Sequence, residues 1–126
     1  MTTDKQIHLT EELAHRYMRE AVIEYGEDFV YEAPLGVNRQ RTCVYVSDNK
    51  ASCLIGQVLV RAGVPIEEFG PVNNLRIERA IKALSVLASH PLIYALAVAQ
   101  DVQDCGRTWG EALWRFQGLL SERQAL

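Results

Sequence analysis

Apolar residues recur at three- and four-residue steps near the start of the chain. Leu13, Tyr17, Ala21 and Tyr25, joined by Ala14, Met18 and Val22, face Arg16, Arg19, Glu20 and Glu24 on the opposite side. That period predicts an amphipathic helix over residues 10–25. Thr10 suits its N-cap, Glu11 and Glu12 suit the positive end of its dipole, and Gly26 stops it. His15 on this helix reads as a boundary residue. The period then shortens. Phe29-Val30-Tyr31 is strand-like, Pro34 and Gly36 impose a turn, and a second strand signal runs from Cys43 to Val46. In it Cys43 and Tyr45 face one way and Val44 and Val46 the other. The expectation is a two-stranded hairpin whose loop, at roughly eight residues, exceeds the favoured two to five.

Helical spacing resumes after the polar turn Ser47 to Lys50. Ser52 is the expected N-cap of a strongly apolar helix through Leu54, Ile55, Val58, Leu59 and Ala62, ending at Gly63. One helical turn over 65–69 is expected to tuck Phe69 in as an anchor. Asn73 or Asn74 then caps a helix whose stripe runs Leu75, Ile77, Ala80, Ile81, Leu84, Leu87 and Ala88. His90 and Pro91 mark the next start, because proline favours the first helical turn. Residues 92–99 have almost no polar face, and a helix apolar all round is buried in a core or an oligomer interface. This predicts a homodimer with Tyr94 and Val98 at its interface. Asp101 and Asp104 oppose the dipole at the end of that helix, and Arg107 is the expected counter-charge. Thr108 to Glu111 reads as a capping box. The last helix carries Ala112, Leu113, Phe116 and Leu120 inward, with Trp114 on another side as a third interface candidate. The fold class is α+β, predominantly helical: about five helices plus one two-stranded β-hairpin. Residues 1–9 read as a flexible leader and 10–126 as a single globular domain.

Composition adds limits to this picture. The chain has 126 residues, 48% hydrophobic and 23% charged, which is ordinary for a globular protein. Its net charge of −3 disfavours a general duplex binder and leaves only a local basic patch as a route to nucleic acid. The three cysteines are an odd number, and the polar start Met1 to Gln6 has no apolar segment behind it. Together these predict a reducing, cytoplasmic setting with free thiols. The uncharged stretch Ala83 to Ala99 is interrupted by Ser89-His90-Pro91, so two buried helices are expected there, not a membrane span.

The candidate chemistry is sparse. Cys53 at a helix start is the one catalytic candidate, because exposed amides there stabilise a thiolate. Catalysis also needs a base, and spacing brings none of His8, His15 or His90 beside it. The plain alternative is a small apolar residue packed at a helix start. Pairing of Cys43 with Cys53 would need their α-carbons within about 7 Å. Asp101, Asp104 and Glu111 invite a magnesium reading, but no second matching set of acids follows, so no metal site is expected. The sequence holds no P-loop, GxGxxG, GxSxG or HExxH motif and calls for no cofactor. Arg39, Arg41, Arg76, Arg79 and Lys82, with the amides at Ser52-Cys53, form a candidate anion-binding set. Solvated charge explains the same residues.

Two segments carry a resemblance. Cys43 to Tyr45 followed by Ser52 to Leu59 (SCLIGQVL), and Ala99 to Leu113 (AQDVQDCGRTWGEAL), resemble small uncharacterised proteins of actinobacteria and their bacteriophages. The resemblance covers about half the chain and brings no site residues with it. It implies a phage-type accessory protein acting on host components by binding. The leading expectation is a cytoplasmic, non-enzymatic binding or regulatory protein with a protein or small-anion partner. The alternatives are a thiol-dependent enzyme using Cys53, or a small-anion or nucleotide binder.

Overall fold

The computed structural model describes residues 6–32 and 44–125. In chain order these form β1 (Ile7–His8), α1 (Glu11–Tyr25), β2 (Val46–Ser47), β3 (Lys50–Ala51), α2 (Leu54–Arg61), α3 (Ile77–Ala83), β4 (Val86–Leu87), α4 (His90–Asp104) and α5 (Trp109–Ala125). Two 3-10 turns, Ile66–Glu68 and Gly70–Val72, lead into α3. The fold is α+β and predominantly helical, with five α-helices among the described residues and one antiparallel two-stranded hairpin.

Local signals account for the helix ends. The Thr10 hydroxyl accepts the Leu13 amide at 3.1 Å, and Gly26 closes α1 at φ 104°. Ala14, Met18, Ala21 and Val22 form the fully covered stripe of α1, one turn apart in pairs. Phe69 is buried as the anchor between the two 3-10 turns. Ser89, one residue before the expected His90, caps α4 by accepting the Leu92 amide at 3.2 Å, with Pro91 in the first turn. Thr108 accepts the Glu111 amide at 3.1 Å, while the Glu111 carboxylate pairs with Arg107 at 2.9 Å instead of reaching back.

Longer-range pairing departs from the expectations. The hairpin lies one turn further along the chain: Val46 pairs with Ala51 and Ser47 with Lys50. Asp48 and Asn49, at φ 54° and 61°, make the tight two-residue turn that both side chains tolerate. Val30 instead bridges Thr108. The carbonyls of Phe29 and Glu27 accept the Trp109 and Gly110 amides at 2.8 and 2.9 Å, so this segment caps the start of α5. The predicted helix after Asn73 is shorter. Arg76 is the N-cap of α3, which ends at Leu84, and Ser85 at φ 57° turns the chain into β4. β4 pairs in parallel with β1, matching Ile7 to Val86 and His8 to Leu87. Part of the expected flexible leader is therefore a strand, and Leu9 behind it is buried in the core.

The core gathers α1, α2, α4 and α5 around Met18, Leu54, Leu59, Leu92, Leu96, Trp109 and Phe116. Tyr25, Phe29 and Trp109 cluster at one end with ring centroids 4.6–5.2 Å apart, Phe29 meeting both others edge to face. α2, α3 and α5 bury most of the apolar α4 within one chain, leaving Tyr94 62% exposed and Val98 half-buried. Among the described residues no helix is long and apolar enough to cross a membrane.

Candidate functional site

The junction at the start of α2 carries the one catalytic candidate read from the sequence, Cys53, and the fold closes it. Cys53 is fully buried, with an extended backbone, and its sulfur accepts the Gly56 amide at 3.4 Å as the helix cap. Its own amide donates to the Val44 carbonyl at 3.1 Å, and its carbonyl accepts the Gln57 amide at 2.9 Å. The Leu54 amide donates to the Gln103 side-chain oxygen at 2.7 Å. The amides expected to cradle an anion are thus taken up by the protein itself. Ser52 is turned to the same purpose: its hydroxyl meets the Tyr31 hydroxyl at 3.0 Å, and its amide donates to the Tyr45 carbonyl. Gly56 packs so closely on Tyr45 that an added Cβ would collide with the Tyr45 carbonyl oxygen. Cys43 lies outside the described residues, as do Arg39 and Arg41.

Behind this junction lies a polar network that the sequence reading missed. Gln103 accepts from the Leu54 amide and from the Trp109 indole at 3.0 Å, and donates to Asp104 at 3.0 Å. Gln100 accepts from the Ile77 amide at 3.0 Å and donates to the Tyr45 hydroxyl at 2.9 Å, which in turn donates to the Leu75 carbonyl at 2.6 Å. Two buried glutamines of α4 therefore cap the starts of α2 and α3. Asn73, expected to cap a helix, instead accepts from the Tyr45 and Val46 amides and donates to the Val46 carbonyl. The sequence held a signal for this: Leu92, Leu96, Gln100 and Gln103 fall on one helical stripe, which places both amides on the buried face.

Of the charged candidates, Arg76 is engaged within the chain. Arg76 forms a double hydrogen bond with Asp101, at 2.7 and 3.4 Å, and reaches Glu78 at 3.3 Å. The Asp101 hydrogen bond, with Glu78 in support, raises its already high pKa further. The counter-charge at the end of α4 is thus Arg76, not the expected Arg107, which is 4 residues from its actual partner Glu111. Arg79 and Lys82 are exposed on α3. Burial pushes the Asp104 carboxyl above its ordinary value, opposed by the hydrogen bond from Gln103. Among the described residues no group of three histidine, cysteine or acidic side chains is placed to hold a metal ion.

Two grooves among the described residues bear on function. One, about 960 Å³, lies between the start of α1, the end of β4 and α5, and includes His8, His15, Glu12, Gln117 and Ser121. Two further hydroxyls there, Thr10 and Ser89, are occupied as helix caps. His15 and Gln117 meet through their Nε2 atoms at 2.8 Å, so the glutamine amide donates to a neutral imidazole protonated on Nδ1. Burial, and then the positive charge of Arg19, lowers the pKa of His15, which favours this neutral form. No nucleophile is paired with a base here.

The second groove, about 460 Å³, runs between α1 and α5. The helices are antiparallel, since Glu27 lies against Gly110 and His15 against Gln117. Ile23 and Trp114 line it at 76% and 70% exposure, the two highest values among the exposed large apolar side chains described. Arg19 and Glu27 line it on either side of Ile23 in the chain. Of the three expected interface residues, Trp114 belongs to this groove, whereas Tyr94 and Val98 line neither. Comparison with models of known protein families, with curated proteins and with solved structures finds no match.

Proposed function

We propose that the protein is a small non-enzymatic binding protein, of the phage-type accessory kind, that works in the cytoplasm by protein–protein contact. The observation that carries this reading is the α1–α5 groove. It exposes an isoleucine and a tryptophan in one groove, where burial inside the chain would have been the more stable use of both. Tryptophan is enriched among residues that dominate protein–protein binding energy, and a pair of flanking charges gives such a patch orientation. The thiol alternative lacks comparable support, because Cys53 is buried as a helix cap and neither groove is lined by it. The anion alternative lacks it too, because the α2 amides are engaged and Arg76 is paired with Asp101 and Glu78.

The test is affinity capture with four baits: the native chain, Trp114→Ala, Ile23→Ser and Cys53→Ala, each checked for native circular dichroism. The reading expects a stoichiometric protein partner on the native and Cys53→Ala baits, and its loss from the Trp114→Ala and Ile23→Ser baits. Undiminished capture by Trp114→Ala would overturn it.

A further inference from the structure

We infer that the occupant of the α1–α5 groove is a second copy of this chain, set antiparallel across a two-fold axis that passes near Ile23. This inference rests on the binding role proposed for the same groove. Its support is the order of charges. Arg19 lies one turn before Ile23 on α1, and Glu27 follows just after the Gly26 stop, so the groove edge reads positive, apolar, negative. Such an order is complementary to itself only when reversed. A two-fold axis at its centre brings Arg19 onto the partner's Glu27 and Glu27 onto the partner's Arg19, with the Ile23 and Trp114 side chains enclosed between them.

The pairing habits of the neighbouring charges favour the same occupant. Arg16 pairs with Glu20, and Arg61 pairs with both Glu20 and Glu24, all along α1 or between α1 and α2. Arg19 and Glu27, the two that border the apolar centre, form no ion pair among the described residues. Both are exposed and available to a partner. A parallel arrangement would set like charges against each other at both ends, which disfavours it.

Sedimentation velocity of exposed-site variants tests this, each first shown to retain native circular dichroism. The native chain is expected to dimerise with rising concentration. Arg19→Glu and Glu27→Arg, which each create like-charge contacts at both ends, are expected to weaken association at least about tenfold. An equimolar mixture of those two variants should regain a one-to-one dimer, because one chain then offers two acids to the two bases of the other. A native chain that stays monomeric at all concentrations would overturn the second-copy inference, as would a mixture no more associated than its components. If the monomeric chain nevertheless captures a different protein through Trp114, the binding role stands and only the second copy fails. If that capture is also absent, both fail.

Discussion

The junction between the hairpin and α2 encloses polar groups, whereas the face between α1 and α5 exposes apolar ones. At the junction a thiol, two glutamines and a tyrosine are buried beside a half-buried asparagine, and their polar groups are engaged by backbone amides, carbonyls and one another. At the α1–α5 face two large apolar side chains are left in solvent between two charges that form no ion pair among the described residues. The first region stabilises the fold and has little surface to offer. The second contributes little to the fold and has surface to offer. A reactive-looking residue type is therefore a poor guide to function here. Whether its bonding capacity is already used within the chain is the better one.

Substitutions should separate the two regions sharply. The largest effect is expected at Gly56: alanine there drives a Cβ into the Tyr45 carbonyl oxygen, and urea unfolding should show a loss of about 3 kcal/mol or complete failure to fold. Next, Gln103→Ala orphans the Leu54 amide and the Trp109 indole, a predicted loss of about 2–4 kcal/mol by the same measurement. Trp114→Ala should change the stability of the isolated chain by no more than about 0.5 kcal/mol. A loss at Trp114 as large as that at Gln103 would erase the contrast between the regions.

Thiol labelling followed by mass spectrometry sharpens the comparison. Cys105 is exposed and should react with an electrophile at once, whereas Cys53 should react only as the chain unfolds. Rapid labelling of Cys53 in the native protein would reopen the catalytic reading. The smallest expected effect concerns pH. Because the folded pKa of His15 lies below its ordinary 6.5, the unfolded chain binds that proton first. The stability contributed by neutral His15 is present above pH 6.5, and is lost as pH falls from there through the folded pKa. Titrating unfolding free energy against pH should show this slope, and His15→Gln should flatten it.

What the sequence made legible follows from range. Thr10, Gly26, Phe69, Pro91 and the Thr108 hydroxyl act on residues within a turn or two, so their types and spacings announced the helix ends and the anchor. The five-helix, one-hairpin composition of the fold followed from them. The place of the hairpin was less legible, because its rungs are only two residues long and Val30 finds its partner at Thr108, far along the chain. The stripe running on to Leu87 and Ala88 suited a helix as well as a strand, so the left-handed turn at Ser85 and the parallel pairing of β4 with β1 were hidden. At the candidate site, Trp114 stood out because it falls off the apolar face of α5. Ile23 did not, since it sits beside the α1 stripe, and the groove exists only once α1 and α5 are packed. The glutamine caps act across dozens of residues. Only their place on the buried stripe of α4 gave them away.

The central claim is that the α1–α5 face serves contact with a second copy of this chain and is not needed by the fold. The concentration dependence of thermal unfolding tests it most directly, because association of the native state raises the midpoint by mass action. The native chain should show a midpoint that climbs with protein concentration. Trp114→Ala should show a flat midpoint that coincides with the native value at the lowest concentration. A native midpoint independent of concentration, or a Trp114→Ala midpoint well below it even at high dilution, would contradict the account.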